Sequence, residues 1–397
     1  MGTYLNPGNS GFKRIVNSEY VDKTGLIGLV NSTIGTTRNL TCVSRPRRFG
    51  KSYAAQMLCA YYDNTCDSHE LFDRYNIALD DGYEEHLNKY HVIYLDIAGF
   101  VSDHAIDIRE KISSAIIEDV KELYPDALVQ ENLTETLISL VSKTKTKIVF
   151  IIDEWDAVIR EAVRDPDVQK RYLRFLRELF KNGNFTPFVV AAAYMTGILP
   201  IKKDGSQSAI SDFQEYSILE PEDYSEYVGF TEEEVELECR KTGRNFESMK
   251  KWYDGYTVGN QRSVYNPYSV MQAAVSGKYK SYWRKTSAAE TLMTYIDMDM
   301  DGLQEEIVRL IAGETVEVNP DSFQNDIETF TCRDDVLTLL VHLGYLTYEE
   351  VPDSYDDDDQ VVGLARIPNK EVLLEFEHVL RNAKHESLVE LVRSEPR

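Results

Sequence analysis

The stretch 40-LTCVSRPRRFGKSYAAQMLCAYY-62 decides the fold. Residues 40–44 are a short β-rich run, and residues 53–62 are rich in Ala, Leu and Met and read as a helix. Between them lies a basic loop that ends in Gly50, Lys51 and Ser52. A phosphate-binding loop has the form GxxxxGK[ST], and only its first glycine is missing here, because Arg45 stands in that place. Backbone amides at a helix N-terminus point toward an anion, and the helix dipole favours negative charge there. Gly50 permits close approach, Lys51 would reach the outer phosphates, and Ser52 would offer its hydroxyl to Mg²⁺. A three-residue match is weak in isolation and also fits a basic turn before a capped helix.

Downstream, 148-IVFIIDEWD-156 is an apolar, β-branched run that ends in carboxylates. Such a run reads as a strand buried on both faces of a parallel sheet. Asp153 at its tip is placed to hold Mg²⁺, and Glu154 to act as general base toward water. Polar residues that merely cap a buried strand would look the same, and Trp155 and Asp156 read as local structure. Together, two motifs at the tips of two strands of one sheet point to a nucleoside triphosphate site, since ligands of open α/β sheets bind beyond those ends. Thr196 closes the apolar run 189-VVAAAYMTG-197. It is either a sensor of the γ-phosphate or a simple strand cap. Arg171, Arg174 and Arg177 share one helix face, as a solvated row or a finger toward a neighbour's phosphate.

Strands are also expected at 91–97 and 215–219, with helices over about 22–34, 105–123 and 168–181. Alternating strands and helices mean a parallel α/β sheet. Beyond about residue 220 the pattern changes to acidic, amphipathic helices over 221–251. A turn-rich stretch at 252–260 follows, then short helices at 268–276, 287–298 and 303–312, and a strand at 315–318. Residues 334–350 read as helix into strand, residues 361–367 as a returning strand, and a last helix begins near 369. Three regions are expected: a core with an N-terminal extension over 1–220, a helical lid-like region over 221–300, and a winged-helix-like domain over 301–397.

The chain has 397 residues and a net charge of −24. Its 43% hydrophobic content excludes wholesale disorder. Yet residues 1–60 hold eight bases and two acids, a focused cationic patch in an acidic protein. The acids crowd at 349-EEVPDSYDDDD-359, where a run of like charge reads as a solvated loop or wing that would repel phosphates. Direct nucleic-acid binding is therefore not expected. Five cysteines without CxxC spacing argue against a disulfide framework and a zinc site, and a reducing cytoplasm is the expected setting. Neither a signal peptide nor a membrane span is expected.

Several stretches together carry a family resemblance: 20-YVDKTGLI-27, 42-CVSRPRRFGKS-52, 151-IIDEWDAVIREA-162, 193-AYMTGILPIKK-203, 252-WYDGY-256, 264-VYNPYSV-270, 281-SYWRKTS-287, 322-SFQND-326 and 367-IPNKEV-372. With them the chain resembles the bacterial AAA-ATPase-like family, whose members commonly add a PD-(D/E)XK nuclease-like domain. The resemblance implies a P-loop NTPase core similar to archaeal-type and signal-transduction ATPases, here an α/β parallel sheet with flanking helices, followed by a helical and winged-helix-like region. It implies ATP and Mg²⁺ as ligands. It places Arg45, Arg47, Arg48, Phe49, Gly50, Lys51, Ser52 and Tyr53 at the nucleotide, Ser52 and Asp153 at the metal, and Glu154, Lys51 and Thr196 in catalysis. In this form of the loop, Arg47 and Arg48 would supply charge-assisted bonds in place of lost amide contacts. Tyr20 is a candidate contact for the base. No later strand carries the Asp then Glu-x-Lys of a metal nuclease, so DNA cleavage is not expected. An ATPase that switches the packing of its C-terminal domains, a nucleotide-gated binder with little turnover, and a DNA-associated regulator remain as readings. A homo-oligomer or a partner protein would suit the first two.

Overall fold

The computed structural model describes residues 1–101, 107–161, 165–201, 210–283, 300–321, 323–324, 330–355 and 361–382. The expected helix at 287–298, the acidic residues 356–359 and the tail beyond 382 lie outside them, as do parts of 193–203, 281–287 and 322–326. The chain divides into two compact units, Met1–Ser44 with Gly50–Tyr216, and Arg45–Phe49 with Ser217–Arg397.

The first unit is built on a five-stranded parallel sheet. Its strands are β1 (Leu40–Ser44), β2 (His91–Asp96), β3 (Ile148–Asp153), β4 (Val190–Gly197) and β5 (Gln214–Tyr216). Their spatial order is β2-β3-β4-β1-β5. β1, β3 and β4 are buried along their whole length, which is why they read as continuous apolar runs rather than alternating ones. β4 begins at Val190, one residue into its apolar run. Pro187 lacks the N–H a central strand needs and instead opens the helical turn Thr186–Val189.

Helices cover the sheet. Lys51–Tyr62 follows β1 directly. Ile108–Leu123 is capped by Asp107, whose side chain accepts from the Arg109 amide, and Pro166–Phe180 by Asp165, with Pro166 in its first turn. Leu133–Thr144 is a helix the sequence reading passed over. Its Leu133, Leu137, Leu140 and Val141 recur at helical spacing and are buried, and Asn132 caps it. Ser10–Val16 is helical as well. The N-terminal segment is tied to this unit by the Asp119 carboxylate, which accepts from the Tyr4 and Leu5 amides at 2.6 and 2.9 Å.

The second unit begins with the helices Glu232–Thr242 and Phe246–Tyr253. Thr231 and Glu234 form a reciprocal capping box at the start of the first. The turn-rich stretch at 252–260 is a hairpin, β6 (Tyr256–Val258) with β7 (Gln261–Val264), turned through Gly259 and Asn260. The helix Pro267–Ser276 follows. Further on come the helix Leu303–Ala312, β8 (Val316–Val318), the helix Arg333–Leu343, and the hairpin of β9 (Thr347–Tyr355) and β10 (Val361–Arg366). These strands form an antiparallel sheet in the order β8-β10-β9, and the helix Lys370–Asn382 comes after it.

Candidate nucleotide site

Strand order places the key residues of the first unit. β4 lies between β1 and β3, and Val43 of β1 pairs with Thr196. Ile152 pairs with Met195, so the next residues, Asp153 and Thr196, end neighbouring strands at the same level. On its other side Asp153 pairs with Asp96 of β2. Three polar side chains from three adjacent strands thus share the carboxyl edge of the sheet, where the crevice of an open α/β sheet opens.

Gly50 supplies the turn onto the helix. Its φ of +94° is left-handed, which a residue with a side chain rarely adopts, although a Cβ there would meet nothing within 4 Å. The chain then enters the helix at Lys51. That side chain is buried, and desolvation lowers its pKa from the usual lysine range to about 8 against the opposing pull of Asp153, Asp156 and Glu154. Asp153 is buried too. Desolvation raises its pKa to about 6, although a hydrogen bond from Ser52 and the charge of Lys51 both work the other way. Ser52 itself is exposed. An ammonium, a hydroxyl and a carboxylate, from two motifs roughly 100 residues apart, therefore meet at one place.

Glu154 follows with φ +52°, a left-handed conformation that a non-glycine residue adopts at a cost of about 1–3 kcal/mol. Its carboxylate Oε2 accepts from Arg160 Nη2 at 2.8 Å. The same guanidinium donates through Nε to Asp156 Oδ2 at 3.0 Å. Asp156 is fully buried and also accepts from the amides of Ile198 and Leu199, at 3.1 and 2.9 Å. The Trp155 amide donates to the Thr196 carbonyl at 3.0 Å. Two carboxylates of the pair overcome the desolvation of Arg160 and raise its pKa further. The Thr196 hydroxyl is buried and has no hydrogen-bond partner among the described residues.

Arg160 and Asp96 escaped the sequence reading. Arg160 could have been found: it stands four residues after Asp156 at the start of the helical segment Ala157–Glu161, where such pairs face each other. Asp96 was read only as the end of the strand at 91–97, and the pairing of β2 with β3 is what brings it to Asp153.

The loop Arg45–Phe49 groups with the second unit, and its side chains have partners there. Arg45 is fully buried, with Nη2 donating to the Tyr224 carbonyl at 3.2 Å. Arg48 (φ +69°) donates to the Tyr282 carbonyl at 2.6 Å and lies over the Tyr268 ring at 4.4 Å. Phe49 is buried edge-on to Tyr256. Arg45, Arg48 and Phe49, expected at a nucleotide, thus direct these side-chain groups at partners within the second unit. Arg47 accepts through its carbonyl from Asn266 and is half-buried. Tyr53 is exposed. Tyr20 packs on the Phe12 and Tyr75 rings and donates to Met57 Sδ at 3.4 Å. Arg171 and Arg174 sit on the surface beside Asp107 and Glu178, the solvated row rather than a converging set.

Fold and edge chemistry define a P-loop nucleotide-binding class. The family described as predicted AAA-ATPase matches residues 8–206, half of the chain, and the chain belongs to this AAA-ATPase-like family of P-loop ATP-binding proteins. No curated protein is a significant relative of it. Among solved structures, the Aeropyrum pernix ORC2 protein in its ADPNP-ADP complexes is similar at 12% identity over 93% of this chain and 98% of that one, with a TM-score of 0.42. Its ADP form scores 0.36, again at 12% identity, over 93% of this chain and 97% of that one. Drosophila ORC bound to AT-rich DNA and Cdc6 is 10% identical over 94% of this chain and 93% of that one, with a TM-score of 0.22. Among the described residues, no helix is long and apolar enough to cross a membrane.

Proposed function

We propose that the protein is a Mg²⁺-dependent ATPase whose site is the carboxyl edge of the first unit. The observation that carries this reading is the meeting of Lys51, Ser52 and Asp153. A buried ammonium whose pKa is pulled down to about 8 beside a carboxylate raised to about 6 is a pair that gains from a polyanion and a cation. A serine hydroxyl hydrogen-bonded to a carboxylate is a hard oxygen donor set, which fits Mg²⁺ held jointly by protein and phosphates. Ser52 and Asp153 would hold the ion, and when bound it would neutralise charge on the outer phosphates.

In this mechanism the Gly50 turn and the following amides orient the triphosphate, and Lys51 neutralises its outer phosphates. Glu154 takes a proton from a water that attacks the γ-phosphorus. The bond to the bridging β-oxygen breaks, leaving ADP and phosphate. The Thr196 hydroxyl donates to a γ-phosphate oxygen or to that water. We read residues 221–300 as lid-like and 301–397 as winged-helix-like, which the helix, strand, helix, hairpin order of 303–366 supports. Hydrolysis would switch the packing of these regions. A cytoplasmic setting suits the free cysteines.

Glu154→Gln tests the reading. Turnover should fall by about 10²–10⁴-fold while ATP still binds, as loss of a general base predicts. Equal turnover in wild type and variant, both binding ATP, would refute hydrolysis through Glu154. A second reading, a nucleotide-gated binder with little turnover, is favoured by the hold of Arg160 on Glu154.

A further inference from the structure

We propose that Arg160 is a restraint on Glu154, holding the carboxylate away from water so that nucleotide binds without rapid turnover. This rests on the reading of Glu154 as the base and adds its regulation.

Three observations meet here. First, the Glu154 carboxylate is engaged: Oε2 takes the Arg160 Nη2 proton at 2.8 Å, in a charge-assisted bond. That bond turns the carboxylate toward the guanidinium rather than toward a water. Second, Arg160 cannot easily leave. Its side chain is 12% exposed, and Nε is fixed at 3.0 Å to Asp156, which has no exposure at all. Freeing the guanidinium would strand a buried carboxylate, an expensive state. Third, Asp156 is itself anchored, because Ile198 and Leu199 donate their amides to the same Oδ2. Those amides lie just past Thr196. Glu154, by contrast, is the accessible member: its side chain is 39% exposed, and its backbone sits in the strained left-handed region. The triad therefore has a buried end at Asp156 and an exposed end at Glu154. An arginine suits the role because its rigid fork presents Nε and Nη2 to the two carboxylates at a fixed spacing.

The geometry makes Arg160 a positioning residue that acts through Glu154. The full chain with Mg-ATP tests it, reading ATP affinity and turnover separately. Arg160→Met should leave ATP affinity within about twofold and raise turnover about tenfold, equivalent to about 1.4 kcal/mol off the barrier. Arg160→Lys should fall between, since an ammonium keeps the charge beside Asp156 but lacks the fixed fork that spans the two carboxylates. In Arg160→Met/Glu154→Gln the gain should vanish. If Arg160→Met lowers the melting temperature sharply, Arg160→Met/Asp156→Asn removes the stranded charge and should give the same gain. A variant that binds ATP as wild type does yet turns over no faster, or more slowly, overturns the restraint and leaves the nucleotide site standing. A wild-type chain that does not bind Mg-ATP overturns the nucleotide site and the restraint together.

Discussion

Both units bury ionisable groups, but they treat them differently. In the second unit several of them meet a fixed protein partner. Arg45 donates to the Tyr224 carbonyl, Glu371 accepts from the Tyr282 amide, and Glu375 accepts from the Ser281 hydroxyl. His342 is held neutral by burial and by the nearby Arg45, with its pKa lowered to about 3. In the first unit the charges face one another at the edge of a sheet. Lys51 is drawn down toward neutrality and Asp153 up toward it, beside an exposed serine and a buried hydroxyl without a partner among the described residues. A buried charge is therefore a poor marker of a site by itself. A mismatch left open toward a crevice is a better one.

The comparison can be broken most directly at Lys51. Lys51→Ala should weaken ATP by about 2–5 kcal/mol, the range for truncating one partner of a close charge pair, with helical content unchanged by circular dichroism. Undiminished affinity would remove the distinction between the two units.

Protonation sharpens it next. Between about pH 4 and pH 6, native Asp153 keeps a proton that the unfolded chain has released, so this group's contribution to stability falls as pH rises through that window. Between about pH 8 and pH 10.5 the unfolded chain keeps a proton that native Lys51 has lost, so stability from Lys51 rises with pH there. At neutral pH both charges work against the empty fold. Asp153→Asn should therefore raise the melting temperature of the nucleotide-free chain while weakening Mg-ATP. Affinity for Mg-ATP should be greatest between pH 6 and 8. A melting temperature that drops in Asp153→Asn, or an affinity flat from pH 5 to 9, would count against the charge mismatch.

The smallest effect on binding is expected at Arg45. Arg45→Met should cost about 1–3 kcal/mol of stability through the lost bond to Tyr224, with ATP affinity changed less than threefold. A tenfold loss of affinity without a loss of stability would return Arg45 to the phosphates.

Much of this was legible beforehand, for a physical reason. Central parallel strands must be apolar throughout, so β1, β3 and β4 announced themselves, and the residues breaking each run, Gly50 to Ser52, Asp153 to Glu154 and Thr196, marked its carboxyl end. Helices with capping residues and periodic faces were mostly visible too, and Leu133–Thr144 carried its signal unread. The loop arginines were not legible in this way, because a cationic run near a glycine and a lysine looks alike whether its side chains bind phosphate or fill a core.

The sequence alone thus determined the strand–loop–helix unit, the parallel α/β character and the residues at the strand tips, since these follow from local hydrophobic pattern and backbone chemistry. Only the tertiary structure decided which tips are neighbours, that Arg45 is buried, and that Arg160 grips Glu154 and Asp156. Such facts depend on pairing and packing between residues far apart in the chain, or on rotamers set by burial; spacing offers Arg160 to Asp156, but not the second bond to Glu154.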